Sequence, residues 1–247
     1  MKVYQGIVLG FVQGLTEFLP VSSSGHLILT EKLLGVSGGL FFSLLLHSGT
    51  LFSVLVVKFK AVKKIDRKRA VRLIIATVPA GIIGVFLGDV IDGLFFGGRF
   101  LPFGFLFTAV YLYVAEKRYN EKRKQITLKD SLYLGLAQGV AVIPAVSRSG
   151  TVFATGELLG IEKNELADFT FLMSIPVIGG GIFYETLKCA VKGGLGEIAV
   201  APTLFGCLSA FVGGIIAVYF VDFAYTKGKT KYFAVYLLLL SVILTVL

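Results

Sequence analysis

An all-α polytopic membrane protein, built as an inverted-topology repeat, is the fold class these 247 residues predict. Three observations predict it. The chain is 55% hydrophobic and 16% charged, with a mean hydropathy of +0.85, which describes a bilayer solvent rather than water. The sequence also repeats itself at an offset of 125 positions: Leu134-Gly135-x-x-Gln138-Gly139 falls on Leu9-Gly10-x-x-Gln13-Gly14, and Val146-Ser147-Arg148-Ser149-Gly150 falls on Val21-Ser22-Ser23-Ser24-Gly25. Finally, each half carries three long apolar runs besides two short ones, and an odd number of crossings turns the second copy over in the bilayer. The chain is thus read as a single membrane domain, 1–247, with repeat one over 1–120 and repeat two over 126–247.

The elements follow in order. Val3–Leu19 and His26–Leu34 are short for a crossing, which takes about 20 residues; the Pro20 to Gly25 turn between them makes a re-entrant helical hairpin. Span one is expected over 40–57, ending in the basic loop Lys58–Arg72. Span two is expected over 71–90, kinked at Pro79 and Gly81. A loop marked by Asp89, Asp92 and Arg99 follows, then span three over 100–115. After the basic loop Glu116–Lys129 the plan recurs: a hairpin from Ser131–Val142 and Thr151–Leu159, then spans over 166–187, 200–221 and 232–247.

Counting basic residues orients this plan. Eighteen of the 24 Lys and Arg fall on one side; Lys2, Lys32, Arg99, Lys188 and Lys192 fall on the other, and Arg148 belongs to neither. The richer side is cytoplasmic, so both termini face outward and the hairpin tips meet near the midplane. The net charge of +9 then belongs to loops that meet anionic lipid, not to a nucleic-acid surface. The start M-K-V-Y has no small-residue cleavage site after it. Cys189 and Cys207, isolated among apolar residues, read as free thiols.

Gln13 to His26 concentrates the chemistry: an amide, a carboxylate, four hydroxyls and an imidazole between apolar stretches. Polar groups at membrane depth cost several kcal/mol each without partners or a wet cavity, so this stretch reads as a site. Arg148, inside the second hairpin, is costlier still. With Ser147, Ser149, Gly150 and the start of the next helix it forms a cradle for phosphate. Glu17 can hold a divalent cation, act as a base or neutralise Arg148. His26 can be base or nucleophile. Ser22, Ser23 and Ser24 offer one nucleophile and two phosphate-binding hydroxyls. Gln13 and Gln138 occupy equivalent repeat positions, which suits a structural role as well as phosphate binding by Gln13. His47 is a weaker candidate for the cavity wall. Asp168, Glu162 and Glu165 read as helix-start acids, and Gly179-Gly180-Gly181 as a close-packing stretch.

These residues closely resemble the bacitracin-resistance family of undecaprenyl-diphosphate phosphatases. Its signatures are E-G-x-T-E-F-L-P-[VI]-S-S-[ST]-G-H and P-G-x-S-R-S-G; here they read Gly14-x-Thr16-Glu17-Phe18-Leu19-Pro20-Val21-Ser22-Ser23-Ser24-Gly25-His26 and Pro144-x-x-Ser147-Arg148-Ser149-Gly150. The resemblance, which covers the whole chain, implies Glu17, Ser23, His26 and Arg148 as the active site, supported by Ser24, Ser147 and Ser149. It implies an integral-membrane hydrolase of the plasma membrane that removes the terminal phosphate of a polyprenyl diphosphate with a divalent cation, Mg²⁺ or Ca²⁺, and so recycles a lipid carrier for cell-wall or glycan assembly. The family's first glutamate is Gln13 here, and the glycine after Pro144 is Ala145; with one carboxylate lost, any cation, with Glu17 as its ligand, should be weakly held. The competing reading is a flippase for a phosphorylated prenyl lipid, which inverted repeats with broken helices also suit. A homodimer is compatible with either.

Overall fold

The computed structural model describes residues 1–95, 98–191 and 199–246. Among these there is no strand; an isolated bridge joins Arg123 to Ile161. The helices are α1 (Val3–Phe18), α2 (Ser23–Leu34), α3 (Gly39–Val57), α4 (Phe59–Lys63), α5 (Arg67–Phe95), α6 (Leu101–Arg118), α7 (Leu128–Val140), α8 (Arg148–Leu158), α9 (Lys163–Val191), α10 (Val200–Thr226) and α11 (Thr230–Val246).

Three helices among the described residues are long and apolar enough to cross a membrane: 67–88 of α5, α9 and α10. Shorter apolar helices cover 41–57 and 230–246. Large side chains such as Phe86, Phe183 and Tyr219 stand more than half exposed around the outside, as expected where lipid is the solvent. The chain is a polytopic helical membrane protein.

Several boundaries differ from expectation. The basic loop after α3 contains the short helix α4, and α5 already starts at Arg67. α5 passes through Pro79 without ending, and its backbone runs on through positions 89 and 92, so the loop before α6 is shorter than its acids suggest. Lys192 and Leu247 lie outside the described residues. α2 and α8 each begin earlier than apolar periodicity places them, because Ser22 and Ser147 cap them. Each capping hydroxyl accepts from a backbone N–H three residues on, Gly25 and Gly150 respectively. Asp168 does not cap α9; with Asp222 of α10 it holds Lys58 Nζ, at 2.9 and 2.8 Å. Glu165 meets Arg69 at 3.1 Å, tying α9 to α5. Cys189 and Cys207 are free.

Glycine lets the first hairpin pack. α1 lies along α10, and a Cβ at Gly6, Gly10 or Gly14 would stand 2.2, 2.0 or 2.4 Å from the carbonyl oxygens of Pro202, Gly206 or Ala210. α7 lies along α5 in the same way, and a Cβ at Gly135 would come 2.7 Å from Ala76 O. Because the obstacle at Gly10 is backbone, no rotamer relieves it. Gly10→Leu is expected to destabilise the fold by about 3 kcal/mol, the upper end of ordinary overpacking, read as a lowered thermal midpoint in detergent. The Gly179–Gly181 stretch behaves differently: a Cβ on any of the three would meet nothing within 4 Å, so these glycines do not serve close packing.

Candidate active site

The two helical hairpins, α1–α2 and α7–α8, touch at their turns. Ser149 Oγ donates to Leu19 O at 3.0 Å, and Ala145 N donates to Ser24 Oγ at 3.4 Å. Ser22 and Ala145 sit at φ of 70° and 68°, a left-handed conformation that disfavours a side chain. At Ala145 this suits the glycine that the resembled P-G-x-S-R-S-G signature has at that position. Past these turns, α2 and α8 start at Ser23 and Arg148, so the N-terminal first turns of two helices lie beside the cluster.

Glu17, near the end of α1, is the centre. Its Oε2 accepts from Ser23 Oγ at 2.6 Å and from Gln13 Nε2 at 2.8 Å. Its Oε1 is bonded by Arg148 Nη2 from the other hairpin. The carboxylate is 5% exposed and the Arg148 side chain 17%; charges this sheltered hold only as a pair. The guanidinium has a second arm: Arg148 Nη1 is buried and has no hydrogen-bond partner. A cavity of about 290 Å³ opens over the cluster, lined by Glu17, Ser22, Ser23, Ser24, Ser147 and Arg148 among others.

Among the residues singled out from sequence, Glu17, Ser23, Arg148 and Gln13 therefore meet directly. Ser24 is exposed at the cavity, with its hydroxyl 3.2 Å from that of Ser22. Ser147 and Ser149 share a 3.3 Å contact, and Gly150 provides the N–H that completes the Ser147 cap. Gln138 has diverged from its repeat partner Gln13: its Nε2 donates to Ala76 O at 3.2 Å, across to α5.

His26 is not brought to Glu17. Its Nδ1 donates to Ser22 O at 2.8 Å, its Nε2 stands 2.8 Å from Tyr236 Oη on α11, and its ring stacks on that tyrosine. The imidazole at the carboxylate is that of His47, on α3. His47 Nδ1 donates to Ser43 O at 2.7 Å, leaving Nε2 3.4 Å from Glu17 Oε2, and the ring lines the cavity. His26 is the stronger candidate in sequence because it adjoins the serine turn, but its ring is held by Ser22 O and Tyr236 on α11 instead. Paired substitutions separate the two. His47→Ala is expected to lower kcat/KM at least about tenfold, or about 1.4 kcal/mol of transition-state energy, with little change in thermal midpoint. A larger kinetic loss from His26→Ala would return the chemistry to His26.

Among the described residues no group of three or more His, Cys, Asp or Glu is placed to hold a metal. Glu17 is the one carboxylate lining the cavity among them, and beside it Gln13 Oε1 is buried without a partner. One carboxylate and one carbonyl oxygen fit a hard cation that completes its shell with water and phosphate oxygens.

Known proteins match this chain over nearly all of it. Residues 6–243 fit the family described as "Bacitracin resistance protein BacA". A protein of Parabacteroides distasonis named undecaprenyl-diphosphatase is 40% identical over 253 residues, 96% of this chain and 94% of that one. Proteins of the same name from Carboxydothermus hydrogenoformans and Halothermothrix orenii are 38% and 35% identical, each covering 100% of this chain and 98% of their own.

Proposed function

The chain belongs to the bacitracin resistance protein BacA family, and from that membership and its site we infer that it is an undecaprenyl-diphosphatase of the membrane. It removes the terminal phosphate of the lipid diphosphate and leaves the monophosphate. The observation that carries the mechanism is the contact across the two hairpins: Ser23 and Arg148 share Glu17, one on each carboxylate oxygen.

The diphosphate head enters the cavity with its charge toward Arg148. Nη2 stays on Glu17, and the unpartnered Nη1 takes a phosphoryl oxygen; the first N–H groups of α2 and α8 and the hydroxyls of Ser24 and Ser147 take others. Ser149, its proton given to Leu19 O and its side chain outside the cavity lining, joins the two turns instead of binding phosphate. Ser23 Oγ attacks the terminal phosphorus as its proton passes to Glu17 Oε2. The bond from that phosphorus to the bridging oxygen breaks, and the lipid monophosphate leaves. Water then cleaves the phosphoseryl ester, returning the proton and releasing inorganic phosphate. Gln13 and His47 hold the carboxylate in place from either side, while His26, bonded to Ser22 O, braces the serine turn. Charge neutralisation on the diphosphate is what a weakly held divalent cation supplies when bound, with Glu17 and Gln13 Oε1 as this chain's ligands.

The halves are read as inverted repeats, each a re-entrant hairpin with three crossings, in the plasma membrane with both termini outside. The exchanged packing supports this: the first hairpin's α1 lies on α10 of the second half, and the second hairpin's α7 on α5 of the first. The hydrolase names of the relatives favour cleavage over a flippase. The test is phosphate release from undecaprenyl diphosphate by the purified protein in detergent. Turnover is expected, lowered by EDTA and restored by Mg²⁺ or Ca²⁺. Folded, cation-replete protein that binds the lipid without releasing phosphate would favour transport instead.

A further inference from the structure

A second cavity, of about 350 Å³, lies between α5 and α9. It is not separate from the first. Ala141, Val142, Arg148, Val177 and Gly181 line both, so the two form one space with the guanidinium at the junction, its Nη1 unpartnered. The first part is rich in hydroxyl and charge. The second is walled largely by carbon, with Ala80, Val85 and Pro176 among its lining.

Four glycines also line the second part: Gly81 and Gly84 on α5, Gly180 and Gly181 on α9. Glycine is among the poorest residues inside a helix, and at Gly6, Gly10 and Gly14 backbone contact explains it. These four have no such explanation, because a Cβ on any of them would meet no atom within 4 Å. A Cβ there would enter open space. The lined stretch runs from Thr77 to Val85 on α5 and from Pro176 to Glu185 on α9, roughly 12 Å along each helix at about 1.5 Å per residue.

We propose that this α5–α9 groove seats the first isoprene units of the substrate's prenyl chain, running away from the diphosphate at Arg148, and that its glycines keep it wide enough for the methyl-branched chain. The proposal rests on the diphosphatase reading of the adjoining site. The rest of a long chain extends beyond the groove into lipid.

The test uses the full-length protein in detergent, with Gly84→Leu and Gly180→Leu and two substrates. Farnesyl diphosphate reaches along the groove; dimethylallyl diphosphate carries one isoprene unit and ends near the junction. Both variants should fold with thermal midpoints at or above the parent's, since leucine is the better helix former and the space is open. Each is expected to raise KM for the farnesyl substrate about tenfold or more through lost apolar burial, with kcat/KM for the dimethylallyl substrate within about twofold of the parent's. Equal losses on both substrates would overturn the groove, as would no loss on either; the latter would leave the space to a bilayer acyl chain. Wild-type protein that turns over neither substrate nor undecaprenyl diphosphate would overturn the diphosphatase reading itself, and the groove with it.

Discussion

Arg148→Ala is expected to lower kcat/KM for the lipid diphosphate by about 10³-fold or more, the scale on which a phosphoryl-transfer arginine acts. Arg148 is the one Lys or Arg lining the cavity among the described residues, so no neighbour takes over its charge. Its planar fork can do two things at once: Nη2 holds Glu17, and the buried Nη1, without a partner in the protein, is left to take a phosphoryl oxygen. A lysine supplies the charge without the fork, so Arg148→Lys should fall between, about 10²-fold down. The alanine variant has a second effect. It leaves Glu17 sheltered and unpaired, which costs about 3–5 kcal/mol where such a pair is broken. Glu17→Gln in the Arg148→Ala background removes that stranded charge and should recover much of the thermal midpoint. Activity should stay lost in the double variant. Folded Arg148→Ala protein retaining activity within about tenfold of the parent would dismiss the phosphate role.

The hydropathy and the repeat made the helical plan legible, because both are properties of local order along the chain. The caps were not legible: Ser22 and Ser147 start their helices several residues earlier than apolar spacing implies, while Asp168 pairs with Lys58 instead of capping. The Glu17–Arg148 meeting was foreseeable because a buried guanidinium and a buried carboxylate, each alone in its own hairpin, need one another. The histidines show where this reasoning stops. His26 and His47 are equivalent in chemistry, and only the reach of Tyr236 from α11 to His26 and the packing of α3 beside α1 decide which ring meets the carboxylate. The glycines divide the same way. Gly10 and Gly180 look alike in sequence, yet one meets a carbonyl oxygen at 2.0 Å and the other meets nothing. Whether a missing side chain serves contact or vacancy is settled by its neighbours, which come from the other half of the chain.

Ser23→Ala should be as damaging as the arginine change, with a loss of at least about 10³-fold in kcat and little change in stability, because it removes the attacking atom and no packing. The three serines of the turn are chemically alike, but their surroundings separate them. Ser22 Oγ is spent on capping α2 and Ser24 Oγ accepts from Ala145 N in the opposite turn. Ser23 Oγ alone donates to the carboxylate, at 2.6 Å, where proton removal costs no rearrangement. Ser24→Ala should therefore lose less than about tenfold, the worth of one hydrogen bond to a phosphate oxygen at about 1.4 kcal/mol. A quench experiment tests the assignment without relying on rates alone. With substrate labelled in its terminal phosphate, the label should be caught on wild-type protein as an acid-stable, base-labile ester that maps to Ser23. It should be missing from Ser23→Ala. Label that survives base but not acid would mark a phosphohistidine and move the nucleophile to His47 or His26. Wild-type turnover with no trapped label, together with an active Ser23→Ala protein, would mean that water attacks directly and that Ser23 only holds Glu17 in place.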